Sequence, residues 1–193
     1  MSRAASGNAL RKVGDLEKVI GIPRPALRSL IPLRFLFLVW LGVSTVSACS
    51  AASSLVQKAA PEFVRSDLNH RRVDLRAYRG KIVLLNFWAT WCAPCQLEMP
   101  RFIAWQNKYG PRGLRIIGIS MDDDPAMAGS LVRKLKLNYP VVMGDEKIGH
   151  LYGGVMGLPI TFLIDKQGRV QAQYQGETDL NSIEEEFKLL LGP

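Results

Sequence analysis

Cys92 and Cys95 stand with only Ala93 and Pro94 between them, where a short apolar run gives way to a helical pattern. Two cysteines at that spacing lie on one helical turn and can close a disulfide, so the chemistry within reach is thiol–disulfide exchange. Their place at a strand-to-helix junction says more than the spacing alone. A sulfur at a helix N-terminus meets unpaired backbone N–H groups and the positive end of the helix dipole, and both favour the thiolate. A free thiol titrates near about 8.5, and such a position can lower that to roughly 3.5–7.5. Cys92 is then the attacking nucleophile, exposed at the turn, and Cys95, one turn into the helix, resolves the mixed disulfide. Pro94 falls in the first turn, where a missing N–H is harmless.

The elements that must position this pair can be read outward from it. Residues 81–87 form a nearly continuous apolar run, the pattern of a strand buried on both faces. A helix is expected from about Cys95 to Tyr109, ending at Gly110-Pro111. Residues 114–120 read as a second buried strand, after which Asp124 and Pro125 supply an N-cap and a first helical residue. Leu131, Val132 and Leu135 give that helix its apolar face. A third strand over 139–143 and a short helix over 146–152 follow. Strands over 160–164 and 170–174 flank a Lys166-Gln167-Gly168 hairpin loop, and Leu180, Ile183, Phe187 and Leu190 recur at helical spacing in a closing helix. The order predicts an α/β fold, a three-layer α/β/α sandwich around a mixed sheet.

Four separated features together resemble the thioredoxin superfamily, and within it the exported, membrane-attached reductases of the TlpA/ResA type, which share the redoxin fold. They are Phe87-Trp88-Ala89 leading into Trp91-Cys92-Ala93-Pro94-Cys95, Pro100 eight residues past Cys92, the run Gly157-Leu158-Pro159-Ile160-Thr161-Phe162, and the Asp165…Gly168 hairpin. The resemblance spans about residues 61–191. It implies a redox disulfide between Cys92 and Cys95, and a cis Leu158–Pro159 peptide facing the cysteines. Such a bond is credible only before proline, and it would offer the Leu158 backbone to an extended substrate segment. Trp91, beside Cys92, would form part of the same substrate surface. The resemblance further implies disulfide-containing exported proteins as substrates, with cytochrome c maturation or oxidase assembly as the setting, and a membrane thiol carrier as electron donor. No cofactor is implied.

Two positions bear on proton transfer. Cytoplasmic thioredoxins resemble this chain but carry a buried Asp where Asn86 stands, and an amide cannot serve as that base. Glu98 matches an acidic residue of the TlpA/ResA type. Its three-residue spacing from Cys95 puts the two on adjoining positions of the helix surface, so a carboxylate there could take or return the Cys95 proton.

The net charge of +8 is unevenly distributed. Residues 1–48 carry seven Lys/Arg against Asp15 and Glu17, and the remainder is nearly balanced, with no basic stripe interleaved with aromatics. That argues against nucleic-acid binding and for membrane orientation. Residues 1–34 are a basic N-terminal region and 35–48 an apolar stretch of signal-peptide length, shorter than the ~20 residues of a usual span. Val46-Ser47-Ala48-Cys49 resembles a bacterial lipobox, with Cys49 as the lipidated residue. The alternative is an uncleaved anchor over 30–48 or a cleaved soluble form, and each places the C-terminal domain outside the cytoplasm. Residues 49–60 read as a tether and 61–193 as the folded domain.

Other functions are weaker. Peroxiredoxins resemble one another in a Pro-x-x-x-Thr-x-x-Cys site, whereas Trp91 precedes Cys92 here and a second Cys follows at once. A Cu(I)-binding module built on the two thiolates lacks an evident third ligand, and no other metal site is read. Asp122-Asp123-Asp124 reads as a solvated loop ending in a helix cap, without cation-loop spacing. His70 and His150 read as structural or surface residues.

Overall fold

Seven consecutive buried residues, Ile82–Trp88, make the central strand of the domain. The structure is a computed structural model describing residues 54–192. Elements follow the order β1 (Val64–Ser66), β2 (Arg72–Asp74), a 3-10 turn (Leu75–Tyr78), β3 (Ile82–Trp88), α1 (Ala93–Tyr109) and β4 (Leu114–Ser120). Then come α2 (Pro125–Leu135), β5 (Val141–Met143), α3 (Glu146–Leu151), β6 (Ile160–Ile164), β7 (Val170–Gln175) and α4 (Leu180–Leu191). The main sheet has the order β5-β4-β3-β6-β7, and β1 and β2 form a separate hairpin. β3 runs parallel to β4 and antiparallel to β6, so the sheet is mixed.

Alternation along β3 builds two cores. Ile82, Leu84 and Trp88 face one cluster, shared with Phe102 and Trp105 of α1, Leu131 of α2 and Phe187 of α4. Val83, Leu85 and Phe87 face the other, with Phe63, Ile148 of α3, Tyr152 and Phe162. Burying each such large side chain contributes about 1.5–3 kcal/mol, which makes β3 the least movable support for whatever follows it. The result is the expected thioredoxin-like three-layer sandwich, with one layer thin: α3 is only six residues long.

The expected boundaries shift in places for local reasons. α1 begins at Ala93, because Cys92 is its N-cap. The third strand starts at Val141 and not at 139: Pro140 has no N–H to donate, and Tyr139 turns into the core. α2 and its Asp124 cap fall where expected, as does β4. The hairpin β1–β2 was not foreseen, since strands of three residues carry no readable period. Nor is the stretch before Pro61 a tether throughout. Gln57 N–H donates to the Val170 carbonyl, Ala60 N–H to Gly168, and Val170 N–H to Lys58, so residues 57–60 line the edge of β7. Backbone pairing of this kind leaves little mark on side-chain pattern.

The Asp165…Gly168 hairpin is held from within. Asp165 Oδ1 accepts from the N–H groups of Gln167 (2.9 Å) and Arg169 (2.8 Å). Gly168 has φ +76, a conformation that L side chains rarely adopt, and a Cβ there would also displace the Arg79 guanidinium, so glycine suits this turn.

Residues 35–48 and Cys49 lie outside the described residues. Among the described residues, no helix is long and apolar enough to cross a membrane.

Candidate active site

The end of β3 delivers the chain into a loop that is pinned before it reaches the cysteines. Thr90 donates to Asp122 through its N–H (3.0 Å) and through its hydroxyl (2.6 Å). Ser120 Oγ donates to the other carboxyl oxygen of Asp122 (2.8 Å). Gln96, on α1, closes the loop by donating to the Thr90 carbonyl (2.7 Å). Asp122 is buried, which corrects its reading as part of a solvated acidic loop. A run of three aspartates looks uniformly polar, and only the fold shows that the first of them turns inward. Asp124 does cap α2, accepting from Ala126 N–H (2.8 Å).

Cys92 is the N-cap of α1, and its sulfur accepts from the Cys95 N–H at 3.3 Å. The two cysteines form a disulfide with a Cα–Cα separation of 5.3 Å. Cys92 retains 5 % exposure and Cys95 1 %, so the leading sulfur is the more accessible, though far less open than its position at a turn suggested. Trp91, at 70 % exposure, stands beside it, so this indole is available to a partner, while Trp88 and Trp105 are core residues. Pro94 sits in the first turn of α1. Pro100 lies inside the same helix, where it removes the N–H that would have met the Gln96 carbonyl.

The Leu158–Pro159 peptide is cis. In the β3/β6 register Phe87 pairs with Ile160, so Pro159 falls at the sheet end where β3 hands over to the cysteine loop. Leu158 is half-buried and packs against both cores. The Pro159 carbonyl accepts from Gly176 N–H (2.8 Å), which ties the turn to the segment after β7.

Glu98 is 8 % exposed, so it is not a solvated helix residue. Its Oε2 has no hydrogen-bond partner among the described residues. Burial, reinforced by repulsion from the Glu177 carboxylate, raises its pKa from the ordinary 4.5 to about 7. A carboxyl of that proton affinity exchanges protons at neutral pH, which an ordinary surface glutamate does not do. Asn86 is buried with its amide committed, donating to Thr161 Oγ1 at 2.9 Å across the sheet. Among the described residues no group of three His, Cys, Asp or Glu side chains gathers as a metal site. His150 is a surface residue, 3.5 Å from Glu146 one turn earlier.

Reasoning from the sequence missed Asp122 and Thr90, although the Ser120-x-Asp122 pattern at the end of a buried strand could have flagged the first.

The comparisons agree with this geometry. Residues 56–173 match the AhpC/TSA family. The chain is 38% identical over 135 residues to thiol-disulfide oxidoreductase ResA of Bacillus thuringiensis subsp. konkukian, covering 69% of this chain and 77% of that protein. It is 30% identical over 153 residues to ResA of Bacillus subtilis, covering 78% and 85%. Among solved structures, a thiol:disulfide interchange protein of the thioredoxin family from Chlorobium tepidum superimposes with a TM-score of 0.65 at 27% identity, covering 69% of this chain and 96% of that one. With its thioredoxin-like fold and its cysteine pair at disulfide distance, the chain belongs to the AhpC/TSA family as a thiol–disulfide oxidoreductase of the ResA type.

Proposed function

We propose that the protein reduces disulfides of exported proteins, with Cys92 as nucleophile, Cys95 as resolving thiol and Glu98 as the group that carries the Cys95 proton. The observation that carries this reading is the buried, unpartnered Glu98 carboxyl one turn beyond Cys95, whose own backbone N–H donates to the Cys92 sulfur. In the reduced enzyme, the Cys92 thiolate attacks one sulfur of the substrate disulfide. A mixed disulfide forms, and the first substrate sulfur leaves as a thiolate that takes a proton from solvent. Glu98, ionised, then accepts the proton of the Cys95 thiol. The Cys95 thiolate attacks Cys92 Sγ, closing the Cys92–Cys95 disulfide and expelling the second substrate sulfur, which is protonated in turn. The substrate gains two electrons and two protons, and the enzyme dithiol is oxidised. Two electrons from a membrane thiol donor restore it.

Trp91 beside Cys92, the exposed Met156 three residues before Pro159, and the Leu158 backbone suit an extended, partly apolar substrate segment. The basic residues 1–34, the apolar stretch 35–48 and the lipobox-like Cys49 support attachment outside the cytoplasmic membrane, by a lipid on Cys49 or an uncleaved anchor. The disulfide formed between apocytochrome c haem-site cysteines and that of a copper-site assembly protein of the oxidase are the substrate classes this reading favours.

Direction depends on potential. The Cys92–Cys95 couple, equilibrated against glutathione, is expected near the thioredoxin value of about −270 mV, whereas a value near about −120 mV would make the protein an oxidant and reverse the assignment.

A further inference from the structure

Asp122 is buried, and no ion pair among the described residues includes it. A carboxylate withdrawn from water without a cation is costly to keep, so what satisfies it needs an account. Three donors do so: the Thr90 N–H, the Thr90 hydroxyl and the Ser120 hydroxyl. Ser120 ends β4, and its Oγ also accepts from the Asp122 N–H (3.2 Å). The carboxylate is thus fixed to the end of that strand and turned towards Thr90.

The other side of this contact is the turn that carries the nucleophile. β3 stops at Trp88, and Cys92 N–H donates to the Ala89 carbonyl (3.1 Å), so residues 89–92 make one four-residue turn. Of its two central residues, Trp91 is exposed, whereas Thr90 has every polar group engaged. Its N–H and hydroxyl meet Asp122, and its carbonyl accepts from Gln96 of α1 (2.7 Å). Thr90 therefore ties the turn to β4 on one side and to α1 on the other. Cys92 comes two residues later, and its sulfur must lie where the Cys95 N–H reaches it (3.3 Å). Hydrogen bonds weaken steeply with misalignment, and working groups must be held within about 0.5 Å of their productive geometry.

We propose that Asp122 is a positioning residue for Cys92: by gripping Thr90 it sets the turn that keeps the Cys92 sulfur at the N-terminal N–H groups of α1. In the reduced enzyme that placement favours the thiolate. A charged acceptor makes this grip roughly twice as strong as a neutral turn contact. The inference rests on Cys92 being the nucleophile, and adds to that reading the group from a neighbouring strand that holds it in place.

The test compares Thr90→Val, Thr90→Ser, Asp122→Ala and Asp122→Asn in the full chain. The readouts are the iodoacetamide rate at Cys92 of the reduced protein at pH 7, urea stability, and the equilibrium constant for oxidation by glutathione disulfide, which yields two glutathione thiols per enzyme disulfide closed. Thr90→Val keeps the side-chain shape and loses the hydroxyl. We expect its Cys92 to react about three- to fivefold more slowly, and the equilibrium constant to rise about threefold as the reduced form loses thiolate stabilisation. Thr90→Ser and Asp122→Asn each retain the contact and should stay within about twofold of the parent. Asp122→Ala should slow Cys92 about tenfold, and adding Thr90→Val to it should cost less than about twofold more, because both remove one contact. If Asp122→Ala does not fold, Thr90→Val and its serine rescue decide the matter. A Thr90→Val protein of lowered urea stability with an unmoved Cys92 rate and equilibrium would make the contact merely structural and overturn the inference, as would an equal loss in Thr90→Ser. Failure of the underlying reading shows separately, as a parent protein whose Cys92 reacts no faster than a free cysteine.

Discussion

Cys92→Ser is expected to lower disulfide reduction by roughly a thousandfold or more, while Cys95→Ser should complete one attack and stall as a covalent adduct with its substrate. The asymmetry follows from the helix terminus. Cys92 is the N-cap of α1, where its sulfur accepts a backbone N–H, and it is the less buried of the two. A serine hydroxyl there ionises far too weakly to attack a disulfide. Cys95 is almost fully enclosed, so without Cys92 it has little access to a protein substrate. With Cys95 absent, the first step proceeds but no thiolate remains to release the product. Non-reducing electrophoresis of each variant mixed with a disulfide-containing protein reads both outcomes. Accumulation of adduct by Cys92→Ser instead would reverse the roles.

Glu98→Gln is expected to remove two pH dependences at once. For catalysis, the variant should resolve the mixed disulfide about a hundredfold more slowly at pH 8, the low end of what a general base contributes, and should lose the limb near pH 7. For stability, the sign follows from the direction of the shift. The folded-state value of about 7 lies above the ordinary 4.5, so between these values the folded protein holds a proton that the unfolded chain releases. The stabilisation linked to Glu98 protonation is therefore complete below pH 4.5 and is lost as pH rises through about 7. One pKa unit corresponds to about 1.4 kcal/mol; allowing for solvent screening at the edge of the site, the loss is on the order of 2 kcal/mol. Glutamine matches the neutral carboxyl in shape and does not titrate. Urea unfolding of the oxidised proteins at pH 5 and pH 8 should show the variant gaining on the parent by about that amount. A constant difference across the range would place the carboxyl in solvent and remove its proposed role.

Much of the fold was legible because burial and turn chemistry leave marks in side-chain order. The apolar runs became β3 and β4, Asp124-Pro125 began α2, and Lys166-Gln167-Gly168 joined β6 to β7. The cysteine pair was legible for the same reason: it lies where a strand pattern meets a helix pattern. What escaped was interaction between distant segments. Asp122 looks like its neighbours in the chain but receives Thr90 from 32 residues away. Tyr139 reads as a strand residue, and only its packing beside Trp88 and Gly118 shows that it turns into the core. The pairing of residues 57–60 with the edge of β7 rests on backbone groups, which every sequence possesses. Glu98 was placed on the correct helix face, but its depth depends on how closely the neighbouring elements cover α1.

The account depends above all on an ionised Cys92 in the reduced enzyme. The rate at which iodoacetamide modifies each cysteine at pH 7, resolved by mass spectrometry of the peptides, measures it directly. An ordinary thiol with a pKa near 8.5 is only about 3% thiolate at that pH. Cys92 should react at least about fivefold faster than a free cysteine, and Cys95 more slowly than either. Equal reactivity of Cys92 and a free cysteine would contradict the account.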